Sequence, residues 1–171
     1  MGREIHYRGK RIQVALDTEI AADGAVVTRD VVIHPGAVAI LPLVAAGRVC
    51  LLRNRRPNTG ATLIEIPAGT LEPHEHPDQA APRELEEETG YTAQSLRKIA
   101  EFFPSPGVLS EKTNLYVAEG LTPGPMRPER DEDLEPFVVD WQQAVAWALD
   151  GTIRDAKTLV AVLLWDRTRP Q

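Results

Sequence analysis

Residues 69–91 read GTLEPHEHPDQAAPRELEEETGY and join a glycine-led loop to a run of glutamates. Glutamate favours helix, and glycine commonly follows a helix end, so residues 78–89 are predicted to form about three turns ended by Gly90. Glu84 and Glu88 are four residues apart, and they therefore share one face of this helix.

The glutamates repel one another if this helix stands alone. Glu87 lies close to the face of Glu84 and Glu88, whereas Glu86 points elsewhere. Like charges at this spacing destabilise a helix by about 0.2–0.5 kcal/mol per pair. A hard divalent cation would reverse that effect, because Mg²⁺ takes carboxylate oxygens as ligands. By itself the run also fits a solvated acidic helix. Arg83 is placed to pair with Glu87.

The spacing of the surrounding residues gives the run a second interpretation. Gly69 is followed after five residues by Glu75, and after seven more by residues 83–91, RELEEETGY. This pattern fills all nine positions of the Nudix box, and the chain resembles the Nudix hydrolases. The resemblance implies a loop–helix–loop that binds magnesium and cleaves a nucleoside diphosphate linked to another group. It implies an α/β fold, an α/β/α sandwich with a mixed central sheet.

Pro82 departs from the usual box, where a helix former is expected. If Pro77 begins the helix, Pro82 is interior, removes one backbone hydrogen bond and costs about 3 kcal/mol. Alternatively the helix begins near Pro82, where proline is tolerated. Either way the metal-ligating part of the helix is predicted to form.

Composition limits the classes of function. The chain has 171 residues, 43% hydrophobic and 26% charged, which is typical of a globular protein. Its net charge of −6 argues against nonspecific binding to nucleic acid or to anionic membranes. Cys50 has no partner for an internal disulfide and is predicted to be a small buried hydrophobe. We expect a cytoplasmic protein, because neither an apolar signal region nor a membrane span is evident.

The first 35 residues are predicted to form an N-terminal antiparallel β arm, and residues 36–171 the catalytic domain. Strands are expected at residues 4–7, 11–19 and 25–34, because apolar and polar residues alternate between turn signals. So small a sheet is marginal alone and must pack on the main domain or on a second subunit.

The catalytic domain is predicted to alternate strands, loops and helices. Arg53, Arg55 and Arg56 end one strand, either as a solvated terminus or as a phosphate clamp. Asp155 is a good cap for a last helix whose apolar stripe is Leu159, Val160, Leu163 and Leu164. The tryptophans are expected in the core or an interface. Strands are predicted at residues 37–44, 49–52, 62–66, 95–103, 114–118 and 134–139, helices at 141–149 and 156–168, and exposed loops at 104–112 and 122–133.

Further segments are similar to the ADP-ribose pyrophosphatase subfamily. They include SPG at residues 105–107 followed by SEK at 110–112, HPGAV at 34–38, EIPAG at 65–69 and DAKT at 155–158. The resemblance therefore extends over nearly the whole chain. It implies hydrolysis of ADP-ribose to AMP and ribose 5-phosphate with two or more Mg²⁺ ions, Mn²⁺ being an alternative.

The same resemblance implies roles for individual residues. Glu84, Glu87, Glu88 and the Ala68 carbonyl oxygen are the implied metal ligands. Glu111 is the candidate for positioning or deprotonating the attacking water, and it is grouped with Glu87 and Arg83 as catalytic.

Substrate contacts and quaternary structure are implied in the same way. Arg56 would hold phosphate or the terminal ribose, and Pro106 and Gly107 lie on the substrate loop. Arg29 lies where relatives contact adenine, across the interface of a homodimer that exchanges N-terminal strands. The alternatives are GDP-mannose or another nucleoside diphosphate sugar, a dinucleoside polyphosphate, or a non-catalytic module that senses ADP-ribose.

Overall fold

A computed structural model describes residues 2–44, 47–130 and 132–169. The strands are β1 (Gly2–Arg8), β2 (Gln13–Ile20), β3 (Val26–Ile33), β4 (Ala37–Pro42), β5 (Arg48–Arg56), β6 (Ala61–Glu65), β7 (Ala68–Thr70), β8 (Tyr91–Phe102), β9 (Thr113–Pro123) and β10 (Leu134–Asp140). The helices are α1 (Pro77–Thr89), α2 (Trp141–Asp150) and α3 (Ala156–Thr168). Within the described residues, no helix has the length and apolar character needed to cross a membrane.

The predicted three-stranded arm is confirmed. Strands β1, β2 and β3 form an antiparallel sheet in that order. Arg3 faces Asp17 across β1 and β2 and forms two hydrogen bonds of 2.6 Å with its carboxylate. The arm packs on the main domain of its own chain, where the Val32 amide donates to Val108 O at 2.7 Å. The arm therefore has a docking surface within the chain.

The catalytic domain is the predicted α/β/α sandwich. Its mixed sheet has the order β7-β4-β9-β8, with β4 and β9 parallel, and an antiparallel sheet has the order β10-β5-β6. Successive residues of β4 face opposite sides, because side chains alternate along a strand. Val38 and Ile40 pack with α1, whereas Ala39 and Leu41 pack with α2 and α3. The sheet thus holds the glutamate-bearing helix on one of its faces.

Helix α1 begins at Pro77, so the interpretation that places Pro82 inside the helix is confirmed. The His76 side chain accepts from the Asp78 amide at 3.3 Å, and the Gln79 side chain accepts from the His76 amide at 3.4 Å. This reciprocal cap satisfies free amides of the first turn. The helix continues through Pro82 to its cap at Gly90.

Gly90→Ala is expected to lower the free energy of unfolding by about 1–3 kcal/mol more than Gly151→Ala, because only Gly90 combines strain with overpacking. Both glycines have left-handed backbone, with φ of 74° and 85°. A Cβ on Gly90 would lie 2.3 Å from Gly124 O, whereas one on Gly151 would meet no atom within 4 Å. Urea unfolding of both variants measures the difference, and equal losses would contradict the steric argument.

Several predicted boundaries and faces differ from the structure. Strands β8 and β9 are both longer than predicted. They also pair along stretches in which apolar and polar residues do not alternate regularly, so the sequence pattern did not predict strand there. The predicted loop at residues 122–133 therefore loses Thr122 and Pro123 to β9, and Asp131 lies outside the described residues. The predicted stripe of α3 is only partly buried. The face of α3 that is buried consists of Thr158, Ala161, Val162 and Trp165.

The predicted arginine cluster is also divided. Arg53, Arg55 and Arg56 lie inside β5 rather than beyond its end. Arg53 lies over the Phe137 ring, 4.3 Å from its centroid, and pairs with Glu135 at 3.2 Å. Of the three, only Arg56 lines the large cavity described below, so they do not act as one clamp. Trp141, Trp165 and Cys50 are buried, as predicted.

Candidate active site

Gly69 allows the box loop to approach the box helix closely. A Cβ at this position would lie 1.9 Å from the carboxyl carbon of Glu84. The loop is fixed to the sheet, because Gly69 pairs with Val38 of β4 and the Ile40 amide donates to Pro67 O at 2.9 Å. Glycine is therefore required here for space rather than for its backbone angles.

Glu84 and Glu88 lie on the buried side of α1, as their spacing predicts. Their residues are 7% and 2% exposed. One carboxylate oxygen of Glu88 accepts from the Ala68 amide at 2.9 Å, and one of Glu84 accepts from Arg83 at 2.8 Å. Burial raises the pKa of Glu84 to about 7 and raises the pKa of Glu88 well above its ordinary value. Burial therefore disfavours the charged form of both carboxyl groups, even though Glu84 has Arg83 as a partner.

Arg83 joins the box loop to the box helix. Its guanidinium donates to both oxygens of Glu75 at 2.9 Å, to Glu84 at 2.8 Å and to Glu87 at 3.0 Å. The predicted pair between Arg83 and Glu87 is thus confirmed. The hydrogen bonds with Glu75 are the largest influence that raises the pKa of Arg83. Arg83 consequently holds three box carboxylates in place.

The donor set of this site suits a hard divalent cation. Among the residues that the structure describes, no three His, Cys, Asp or Glu side chains converge closely enough to hold a metal. Arg83 occupies one oxygen of Glu84 and one of Glu87. The buried carboxylates of Glu84 and Glu88 nevertheless line one cavity, and carboxylate oxygens are the ligands that Mg²⁺ prefers. The residues present therefore fit the cation.

A cavity of about 900 Å³ opens over these carboxylates. It brings together six of the predicted site residues, which are Arg56, Ala68, Arg83, Glu84, Glu88 and Glu111. Glu87, Pro106 and Gly107 are not among its lining residues. Arg29 is also absent from the lining and pairs with Glu19 inside the arm. Within one chain Arg29 therefore does not reach this cavity, and its predicted contact with adenine stays a prediction.

Glu111 reaches the cavity from the loop that precedes β9. One of its oxygens accepts from the Thr113 hydroxyl at 2.8 Å. The other lies 3.9 Å from Nδ1 of His34. The side chain is 21% exposed, so a water bound in the cavity can reach it. Its position is compatible with the predicted role, which stays a prediction.

An ion-pair network lies at another wall of the cavity, and no role was predicted for it as a network from the sequence. Glu65, buried in β6, accepts from Arg56 at 2.6 and 2.8 Å and from Lys157 at 2.6 Å. Lys157 also donates to Asp155 at 2.9 Å. Although burial acts to raise the pKa of Glu65, the two cations outweigh it and hold that pKa below its ordinary value. The motifs EIPAG and DAKT contain Glu65, Asp155 and Lys157, and these motifs were the available signal.

Glu132 is a second carboxylate that sequence reasoning missed. It lines the cavity, and its charge contributes to raising the pKa of both Glu84 and Glu88. It therefore lies within electrostatic range of the box carboxylates. No signal singles it out, because it belongs to a run of acidic residues between β9 and β10 that resembles a solvated loop.

Comparison with known proteins identifies the family of this chain. The model of the NUDIX domain family matches residues 33–162, and the chain belongs to the Nudix family. This outcome confirms the family and the fold that the box predicted. The matched region begins close to the predicted boundary between the arm and the catalytic domain, which itself stays a prediction.

The chain is similar to proteins of several names. It is 37% identical to the ADP-ribose pyrophosphatase of Bacillus subtilis (strain 168), a match that covers 95% of this chain and 89% of that protein. It is 33% identical to the methanol dehydrogenase activator of Bacillus methanolicus, covering 91% and 85%. It is 31% identical to the GDP-mannose pyrophosphatase of Pectobacterium atrosepticum, covering 73% and 69%. A crystal structure of an ADP compounds hydrolase shares the fold, with a TM-score of 0.85, 24% identity and coverage of 98% and 91%.

Proposed function

We propose that this protein hydrolyses the diphosphate of a nucleoside diphosphate sugar, with ADP-ribose as the substrate and AMP and ribose 5-phosphate as products. The observation that carries the proposal is the pair of buried carboxylates, Glu84 and Glu88, in a cavity large enough for such a molecule. The similarity to the Bacillus subtilis ADP-ribose pyrophosphatase supports the choice of substrate.

Glu84 and Glu88, with Glu87 and the Ala68 carbonyl oxygen beside them, would hold two or more Mg²⁺ ions, or Mn²⁺ in their place. When bound, the cations supply charge neutralisation at the diphosphate and lower the pKa of the attacking water. Arg83 keeps the carboxylates oriented through its four hydrogen bonds. The close packing of Gly69 on Glu84 limits how far that carboxylate moves.

Arg56 and Lys157 would bind the phosphates. Glu65 holds both cations at one wall of the cavity, and each retains N–H groups beyond those bonded to carboxylates. A planar guanidinium and an ammonium are the side chains that bind phosphate oxygens best. They would orient the diphosphate toward the buried carboxylates.

Glu111 and Glu132 are the candidates for holding the attacking water. Both carboxylates line the cavity, and they lie on segments outside the box helix. A general base must come within hydrogen-bond reach of the water it deprotonates. Pro106 and Gly107, on the same loop as Glu111, would contact the substrate when that loop closes on it.

We also propose a homodimer that exchanges its N-terminal strands. Tyr7, Ile20 and Val26 on the arm are large apolar side chains that are 58–76% exposed, and a second subunit would cover them. Arg29 would then contact the adenine of the partner's substrate. A small-molecule substrate, a cytoplasmic location and the lack of nucleic-acid or membrane binding complete the proposal, consistent with the net charge of −6.

A substrate panel tests the proposed activity. Purified protein with Mg²⁺ is offered ADP-ribose, GDP-mannose, another nucleoside diphosphate sugar and a dinucleoside polyphosphate, and nucleotide release is measured. We expect AMP to be released from ADP-ribose, with a higher kcat/KM than for the other substrates of the panel. Preferred release of GMP would favour the alternative represented by the Pectobacterium relative. Tight ADP-ribose binding without AMP release would indicate a sensor.

Adding Mg²⁺ is expected to raise the melting temperature more at about pH 8 than at about pH 5.5. Burial raises the pKa of Glu84 to about 7, from an ordinary value of 4.5. Without metal, the folded state keeps a proton that the unfolded state has released, so stability falls as pH rises from about 4.5 through 7. A bound cation requires the deprotonated carboxylate and offsets that loss. A Mg²⁺-induced shift independent of pH would contradict the assignment.

A further inference from the structure

The segment between β9 and β10 is hydrogen-bonded to neighbouring elements near both of its ends. The Arg127 amide donates to Glu87 O in the box helix at 2.9 Å, and the Arg55 amide donates to Asp133 O at 3.2 Å. Glu129 and Glu132 lie between these two hydrogen-bonded positions, and both line the active-site cavity. The position of Glu132 therefore depends on the conformation that this part of the chain adopts.

Glu129 and Glu132 are joined by two hydrogen bonds. The Glu129 amide donates to one carboxylate oxygen of Glu132 at 2.9 Å, and the Glu132 amide donates to Glu129 O at 3.1 Å. The backbone of Glu129 thus holds the carboxylate of Glu132 directly. A displacement of Glu129 would therefore also displace Glu132.

The arm contacts Glu129 through Arg11. Arg11 lies in the turn between β1 and β2, which the Gly9 amide closes by donating to Ile12 O at 2.8 Å. The Arg11 guanidinium donates to the Glu129 carboxylate at 2.6 Å. Arg11 also lines the cavity. This ion pair connects the arm to the segment that carries Glu132.

We propose that Arg11 is a positioning residue for the proposed hydrolysis, acting through Glu129 to hold the Glu132 carboxylate at the cavity. This inference rests on the proposed function of the same site. Glu129 and Glu132 share the cavity with Glu84 and Glu88, and the Glu132 carboxylate is close enough to those two carboxylates to repel them. Arg11 opposes that repulsion by holding Glu129 from the side of the arm. The arm thereby becomes part of the active site.

The pair is exposed, with side chains 49% and 54% accessible, so its contribution to global stability is expected to be small. Its effect on turnover has a different origin. A displacement of about 1 Å of a catalytic group slows a reaction even where folding is unaffected. Loss of the pair should therefore lower kcat and leave the melting temperature nearly unchanged.

A double-mutant cycle tests the connection. Arg11→Gln and Glu129→Gln are each expected to lower kcat for ADP-ribose by about two- to fivefold, the range that an exposed ion pair supplies. KM should stay within about twofold, and the double variant should lose no more than either single variant, because both changes break one contact. Exchanging the charges, Arg11→Glu with Glu129→Arg, should restore kcat above either single reversal.

Two measurements separate positioning from other roles. Arg3→Gln breaks the ion pair with Asp17 in the same sheet, outside the cavity, and is expected to leave kcat unchanged. Hydrogen exchange of the Glu129 and Glu132 amides should be faster in Arg11→Gln than in the wild type, because their hydrogen bonds open more often.

The outcomes are distinct. A raised KM without rescue by the exchanged charges would mean that Arg11 binds substrate directly, and the proposal would be overturned. Unchanged exchange at both amides, or an equal loss of kcat in Arg3→Gln, would also overturn it. Failure of the proposed function has its own signature: the wild type then releases no AMP, while exchange of the two amides still responds to Arg11→Gln.

Discussion

Glu88→Gln is expected to lose about 10²- to 10³-fold in kcat for ADP-ribose while the variant folds normally, because several kcal/mol of transition-state stabilisation depend on the bound cation. Glutamine keeps the shape of the side chain and one oxygen that accepts from the Ala68 amide at 2.9 Å. It removes the negative charge on which a cation depends. Glu84→Gln should behave in the same way.

The same substitution should not destabilise the metal-free protein. Glu88 is 2% exposed and burial disfavours its charged form, so a neutral amide is the easier group to bury. Thermal unfolding without Mg²⁺ should give a melting temperature equal to or above that of the wild type. Glu86→Gln is the matched control on the same helix, since Glu86 is absent from the cavity lining, and its turnover should be unchanged. Near-wild-type turnover in both Glu84→Gln and Glu88→Gln would refute the metal assignment.

Gly69→Ala is expected to lower kcat/KM by about 10- to 100-fold, the range seen when the support of a metal ligand is lost. The new Cβ would lie 1.9 Å from Oε1 of Glu84 and 2.3 Å from its other oxygen. The carboxylate is the flexible end of a side chain and moves aside, so the fold is retained while the ligand is displaced.

A double variant distinguishes this mechanism from a general disturbance. If Gly69→Ala acts through Glu84, adding it to Glu84→Gln should cost little further activity, because the ligand is already lost. Circular dichroism and thermal unfolding should show a folded protein in each case. Fully additive losses would show that the methyl group acts elsewhere in the loop.

The box helix was predictable because its signals are local. Its acidic residues, its glycine cap and the pair between Arg83 and Glu87 follow from spacing along one helix, and the structure confirms them. The arm was predictable for a similar reason, since alternation and turn residues act over short distances. The buried face of α3 was misjudged, because Thr158 and Ala161 are buried by neighbours that the helix sequence does not contain.

The rest of the site depends on contacts between distant parts of the chain. Glu65 and Lys157 are 92 residues apart, and Arg11 and Glu129 are 118 apart. Spacing rules describe neighbours on one helix or strand, so they carry no information about such pairs. Glu132 was missed for the same reason. What distinguishes it from other carboxylates of the loop is that it lines the cavity.

Anomalous diffraction from crystals grown with Mn²⁺ and a non-hydrolysable ADP-ribose analogue tests the central claim most directly. The account predicts at least one ion about 2.2 Å from carboxylate oxygens of Glu84 and Glu88 and from an oxygen of the diphosphate. An analogue seated in the cavity without an ion at these carboxylates, or an ion and analogue bound elsewhere, would contradict it.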